Sequence, residues 1–94
     1  MKVVWSDKAK YQLRGIHAYI AQSSEQYATR IVDRITSRTK QFAQFPHSGR
    51  VVPEFEDDSI REIIEAPYRI IYQIRSDRIV VAAVVHSSLN SYWR

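Results

Sequence analysis

Arg69 and His86 are the two side chains of this sequence whose types could do chemistry together. A guanidinium beside an imidazole holds a phosphate and moves a proton. Whether they meet depends on the stretch PYRIIYQIRSDRIVVAAVVH, from Pro67 to His86, which reads as two β-strands joined by a tight turn. With Ser76 and Asp77 as a two-residue loop, Arg75 faces Arg78 and paired residues have numbers that sum to 153. Arg69 then lies opposite Val84, with His86 as its diagonal neighbour on the same face at roughly 7–8 Å. A three-residue loop changes the parity and separates the pair. In the plainer reading Arg69 caps the solvent side of a sheet and His86 ends a strand.

The elements that must position these residues are legible in the pattern. Tyr68, Ile70, Tyr72 and Ile74 alternate with Arg69, Ile71 and Gln73, the period of a strand with one buried face. Ile79 to Val85 is apolar on both faces, which predicts a central strand with neighbours on both edges. At the other end MKVVW is a short β-prone segment and Ser6 or Asp7 caps a helix start. Ala9, Leu13, Ile16 and Ile20 form one helical stripe. Gly15 weakens that helix by about 1 kcal/mol relative to Ala, and its place allows a neighbour to pack closely. Ser23 with Gln26 fits a capping box that opens a second helix. Its apolar stripe is Tyr27, Ala28, Ile31, Ile35 and Phe42, with Thr39 filling the gap. The helix ends near Gln44, because Pro46 disfavours helical geometry at Phe45. Phe45 to Asp58 is a loop by composition, Ile60 to Glu65 is a further strand, and Ser87 to Arg94 is a tail carrying Tyr92 and Trp93. The expected fold is α+β: an N-terminal strand, an αα-hairpin, then a three-stranded antiparallel sheet packed on the helices, with the far sheet face partly open to solvent.

Bulk properties narrow the function. Ninety-four residues suffice for one domain and are too few for two cores. The absence of cysteine excludes disulfides and thiolate metal sites and suits a reducing cytoplasm. Nothing in the N-terminal stretch reads as a signal peptide, and no window approaches a membrane span. Glu54, Glu56, Asp57 and Asp58 crowd one loop, but no spacing among them matches a metal-binding loop. No cofactor or metal is expected. The net charge is +4. From Ser6 to Gln44 seven Lys/Arg face three Asp/Glu, whereas the rest of the chain carries seven of each. The excess therefore sits on the helices, where Arg30, Arg34 and Arg38 recur every four residues on one face. A charge run of this kind is commonly a solvated face; as a binding surface it fits an acidic partner, either nucleic acid or an acidic protein segment.

Several segments together resemble the RelE/ParE superfamily of type II toxin–antitoxin toxins, and most closely its ParE-like branch. They are WSDKAKYQLRGIHAYIAQSS, the Pro46–Gly49–Arg50–Pro53–Glu54 spacing of FPHSGRVVPEF, IREI at Ile60 to Ile63, YRIIYQI at Tyr68 to Ile74, and His86 at a strand end. The resemblance covers nearly the whole chain. It implies a small toxin neutralised by a cognate antitoxin that wraps across the helical hairpin and the sheet. ParE-like members bind and poison DNA gyrase; RelE-like members cleave messenger RNA in the ribosome. One departure is Ser87-Ser88-Leu89, where ParE-like chains often carry arginines.

Gyrase poisoning is the first reading, because the motifs are ParE-like and no lysine follows Lys40, whereas RelE-type cleavage relies on lysines. Antitoxin or target contact is then expected at Arg30, Arg34, Arg38, Arg50, Tyr92 and Trp93. The alternative is a metal-independent ribonuclease. Arg69 and His86 match positions used in some ribonuclease relatives and Glu54 corresponds to their acid, which assigns Glu54 as base, Arg69 as phosphate clamp and His86 as acid.

Overall fold

The structure, a computed structural model, describes residues 1–88. Five strands and two helices follow one another as β1 (Lys2–Trp5), α1 (Asp7–Ala21), α2 (Glu25–Gln44), a single 3₁₀ turn (Pro46–Ser48), β2 (Arg50–Val51), β3 (Ile60–Glu65), β4 (Tyr68–Ile74) and β5 (Arg78–His86). They form one sheet in the order β1-β5-β4-β3-β2. The antiparallel β3-β4-β5 unit is the expected one. The N-terminal strand joins it parallel to β5, and the short β2 adds an edge beside β3, so the sheet is mixed and five-stranded. As expected, β5 lies inside the sheet, between β1 and β4. Among the described residues no helix is long and apolar enough to cross a membrane.

Ser6 does three tasks where β1 becomes α1. Its amide donates to the Val81 carbonyl at 3.0 Å, closing the parallel ladder. Its side chain accepts from Ala9 N at 3.0 Å as the N-cap and donates to the Ala82 carbonyl at 3.2 Å. Past this point β1 no longer covers the edge of β5, and the side-chain carbonyl of Gln12 accepts from Val84 N at 2.9 Å. A strand edge that would otherwise present bare backbone is thereby partly satisfied from α1.

The second helix opens one residue later than the capping-box pattern implies. Ser24, not Ser23, is the N-cap, accepting from Tyr27 N at 3.1 Å. Ser23 is used up in the turn, where its amide and that of Ser24 both donate to the Ile20 carbonyl. Ser24→Ala should therefore cost about 1 kcal/mol and Ser23→Ala no more than about 0.5 kcal/mol, measured by urea denaturation. Equal losses would contradict this cap.

Both helices pack on one face of the sheet. Ala9, Ile31, Ile35 and Phe42 meet Ile63, Ile70, Tyr72, Ile79, Val81 and Val84, with Leu13, Ile16 and Ile20 at the margin. The α2 stripe is buried as expected except at Tyr27, which is 48% exposed. Among the described residues Gly15 has no packing neighbour from another element: a Cβ placed there meets nothing within 4 Å outside its own helix backbone. The sheet face away from the helices is more closed than an open layer would be. Val52 packs there on Ile71, Ala83 and Val85, with Ile60 beside them, and Glu62 and Arg69 are only 1% and 5% exposed.

Candidate functional site

The register of the β4–β5 hairpin decides what Arg69 can do. Near the turn the expected pairing holds: Ile74 faces Ile79, Gln73 faces Val80 and Tyr72 faces Val81. A bulge at Ala82 then slips the ladder by one residue, so Ile71 faces Ala83 and Arg69 faces Val85. His86 now stands opposite Tyr68, the neighbour of Arg69 on the strand. Successive side chains point to opposite faces, so the expectation that Arg69 and His86 share a face is corrected. The His86 ring lies edge-on to Tyr68 at 5.8 Å, and its Nδ1 is 2.8 Å from the Ser88 hydroxyl.

Arg69 instead belongs to a network of four charges on the face away from the helices. Its Nε donates to Glu62 Oε1 at 2.6 Å, and both terminal nitrogens lie 3.4 Å from Glu54 Oε2. The other Glu62 oxygen accepts from Arg50 Nε at 2.6 Å. The Glu62 side chain is 0% exposed, that of Arg69 7%, Glu54 23% and Arg50 64%, so the network runs from the interior outward. Burial works against the charged form of Arg69, but its hydrogen bonds to and attraction by Glu62, and then by Glu54, outweigh it and hold its pKa above the ordinary value. Two cations and two anions balance. Buried charges of this kind are tolerated because each is paired and hydrogen-bonded.

The loop motif that brings Arg50 and Glu54 here has a steric and a hydrogen-bonding cause. Tyr72 projects from β4, stacks on Phe42 of α2 with ring centroids 3.8 Å apart, and donates its hydroxyl proton to the Pro46 carbonyl at 2.7 Å. The same oxygen accepts from Gly49 N at 2.9 Å. Gly49 is extended, with φ −82°, so its backbone needs no glycine; the space does. A Cβ there would lie 2.6 Å from the Glu62 carbonyl oxygen and 2.7 Å from the Tyr72 hydroxyl. Arg61 braces the far end of the loop, donating to Gly49 O at 3.0 Å and pairing with Asp58 at 2.7 Å. The 46–54 segment is thus a strap whose charged residues are drawn into the sheet.

Of the residues named from sequence, Glu54 and Arg69 are together, Arg50 joins them through Glu62, and His86 is elsewhere. The trio of Glu54, Arg69 and His86 is therefore not assembled as one ribonuclease site. Arg30 and Arg34 are exposed on α2. Arg38 leans on Glu65 of β3, with its Nε 3.5 Å from the carboxylate. Tyr92 and Trp93 lie outside the described residues. The residue that sequence reasoning missed is Glu62. Its signal was an acid at the centre of the isoleucine-rich stretch Ile60–Ile64, in a strand flanked in the sheet by the strands of Arg50 and Arg69.

The family model described as ParE toxin of type II toxin–antitoxin system, parDE, matches residues 3–90. No curated protein matches the chain. A solved structure described as the chromosomal ParDE TA system from P. aeruginosa superposes with a TM-score of 0.76 at 21% sequence identity, covering 92% of this chain and 95% of that one.

Proposed function

Because the chain belongs to the ParE toxin family of type II toxin–antitoxin systems, we propose that it arrests growth by binding and poisoning DNA gyrase, and that a cognate antitoxin neutralises it. The observation that carries a binding mode of action is how the charges are used. The arginines of the sheet are engaged within the chain, Arg69 and Arg50 by Glu62 and Arg61 by Asp58. The cationic excess is presented instead on the helical hairpin, where Arg30 and Arg34 are exposed. An acidic antitoxin segment complements that hairpin face, and gyrase binding needs surface rather than a reactive constellation. Arg50, with 64% of its side chain in solvent, extends the contact to the rim of the sheet.

The test is a plasmid assay with purified toxin, gyrase and ATP. Inhibited supercoiling with accumulation of cleaved plasmid is expected, and adding the protein encoded beside the toxin gene should restore supercoiling. Normal supercoiling and intact plasmid at toxin in large excess would overturn the gyrase assignment. Failure of the neighbouring gene product to relieve inhibition would overturn the antitoxin assignment.

A further inference from the structure

We infer that the outer face of α1, notched at Gly15 between Tyr11 and Tyr19, is the surface on which the toxin docks an acidic helix of its target protein. The inference rests on gyrase being that target and names where the contact is made.

Three observations meet at this face. Tyr11 and Tyr19 are 72% and 76% exposed, the highest values among the exposed large hydrophobic residues described. Gly15 lies midway between them on the same helical row, one turn from each, and, apart from its own helix backbone, none of the described residues lies within 4 Å of where its Cβ would be. The fold therefore makes no use of the missing side chain. Positive charge gathers at the N-terminal end of the row: α1 carries Lys8, Lys10 and Arg14 against a single acid, Asp7, a net charge of 3 − 1 = +2, with Arg14 next to Gly15.

Geometry and charge select the occupant. Eight residues of helix separate the tyrosines by about 12 Å, which is close to the diameter of an α-helix with its side chains. A crossing helix seated over Gly15 would approach the α1 backbone closely and be gripped on both sides by tyrosine rings. Tyrosine is enriched among residues that dominate binding energy, because it offers large rigid contact area with a polar tip. The cations require an acidic partner. A second copy of this chain would bring the same positive face and is repelled.

Gly15→Gln fills the notch with a good helix former and leaves the exposed surface polar. Binding of immobilised purified gyrase to wild type, Gly15→Gln and Arg14→Glu is measured at low salt, with melting followed by circular dichroism. Both variants should bind gyrase at least 10-fold more weakly, while Gly15→Gln melts at or above the wild-type temperature. Wild-type affinity in both variants would overturn the docking surface and leave the gyrase reading intact. A wild type that does not bind gyrase would remove that reading and this inference with it. An equal loss of affinity for a bare DNA duplex would overturn the protein occupant in favour of nucleic acid.

Discussion

Glu62→Ala is expected to destabilise the chain by about 3–5 kcal/mol. The wild-type carboxylate is fully shielded and holds Arg69 Nε and Arg50 Nε, each at 2.6 Å. Removing it takes the 2.6 Å partner from the Arg69 guanidinium, whose side chain is only 7% exposed, and leaves the longer 3.4 Å contact to Glu54 in its place. The loss comes mostly from a buried charge left under-compensated, not from the pair's intrinsic worth. Two comparisons separate these contributions. Glu54→Ala should cost about 1 kcal/mol, since its contacts are longer and its carboxylate is partly solvated. Glu62→Leu combined with Arg69→Met removes both charges and should be less destabilised than Glu62→Ala. Urea denaturation monitored by tryptophan fluorescence and circular dichroism provides the values. A Glu62→Ala midpoint equal to wild type would show that the network does not hold the strap to the sheet.

Tyr72→Phe should cost about 2–4 kcal/mol, because it strands two backbone groups at once. Gly49 N loses its acceptor and the Pro46 carbonyl loses its donor, while the stack on Phe42 is kept. The same residue governs the alkaline limb of stability. Burial raises the Tyr72 phenol above its ordinary 10.0, the Gly49 hydrogen bond pulling part of the way back. Burial likewise raises Tyr68, with repulsion from Tyr27 and Tyr19 adding to it. A raised phenol binds its proton more tightly in the folded state, so stability is intact below pH 10 and falls as pH rises beyond it. Tyr72→Phe should start lower at neutral pH and decline less steeply as pH rises above 10, keeping the part due to Tyr68. A parallel decline in both proteins would contradict the assignment.

The helical hairpin was legible because amphipathic period and cap chemistry are local. Ala9, Leu13, Ile16 and Ile20 face the core as their spacing implies, and only the choice between Ser23 and Ser24 was ambiguous, since adjacent serines offer the same oxygen. The interior position of β5 was legible from its unbroken apolar run. That same run concealed the bulge: in IVVAAVV there is no polar alternation to mark where an extra residue enters, so Ala82 gives no sign and the register past it is open. Pairing of β1 parallel to β5 is set by contacts between residues more than 70 positions apart, beyond any local pattern. The site was half legible. The spacing from Pro46 to Glu54 marked a special loop, but its partner Glu62 became visible only when three strands were laid side by side. Gly49 counted in that spacing only as part of a loop, and it is required by the approach of Glu62 O and Tyr72 Oη.

Contact with gyrase through the cationic, tyrosine-bearing hairpin is the proposed mode of action, while the charged residues of the sheet hold the fold. The most direct measurement is recovery of covalent gyrase–DNA complexes from cells minutes after toxin induction, with 5′-end mapping of cellular transcripts in the same samples. Trapped gyrase on DNA before growth stops, with no new cuts in translated messages, is the result expected of gyrase poisoning. Unchanged gyrase–DNA complexes together with fresh cleavage of translated transcripts would contradict it.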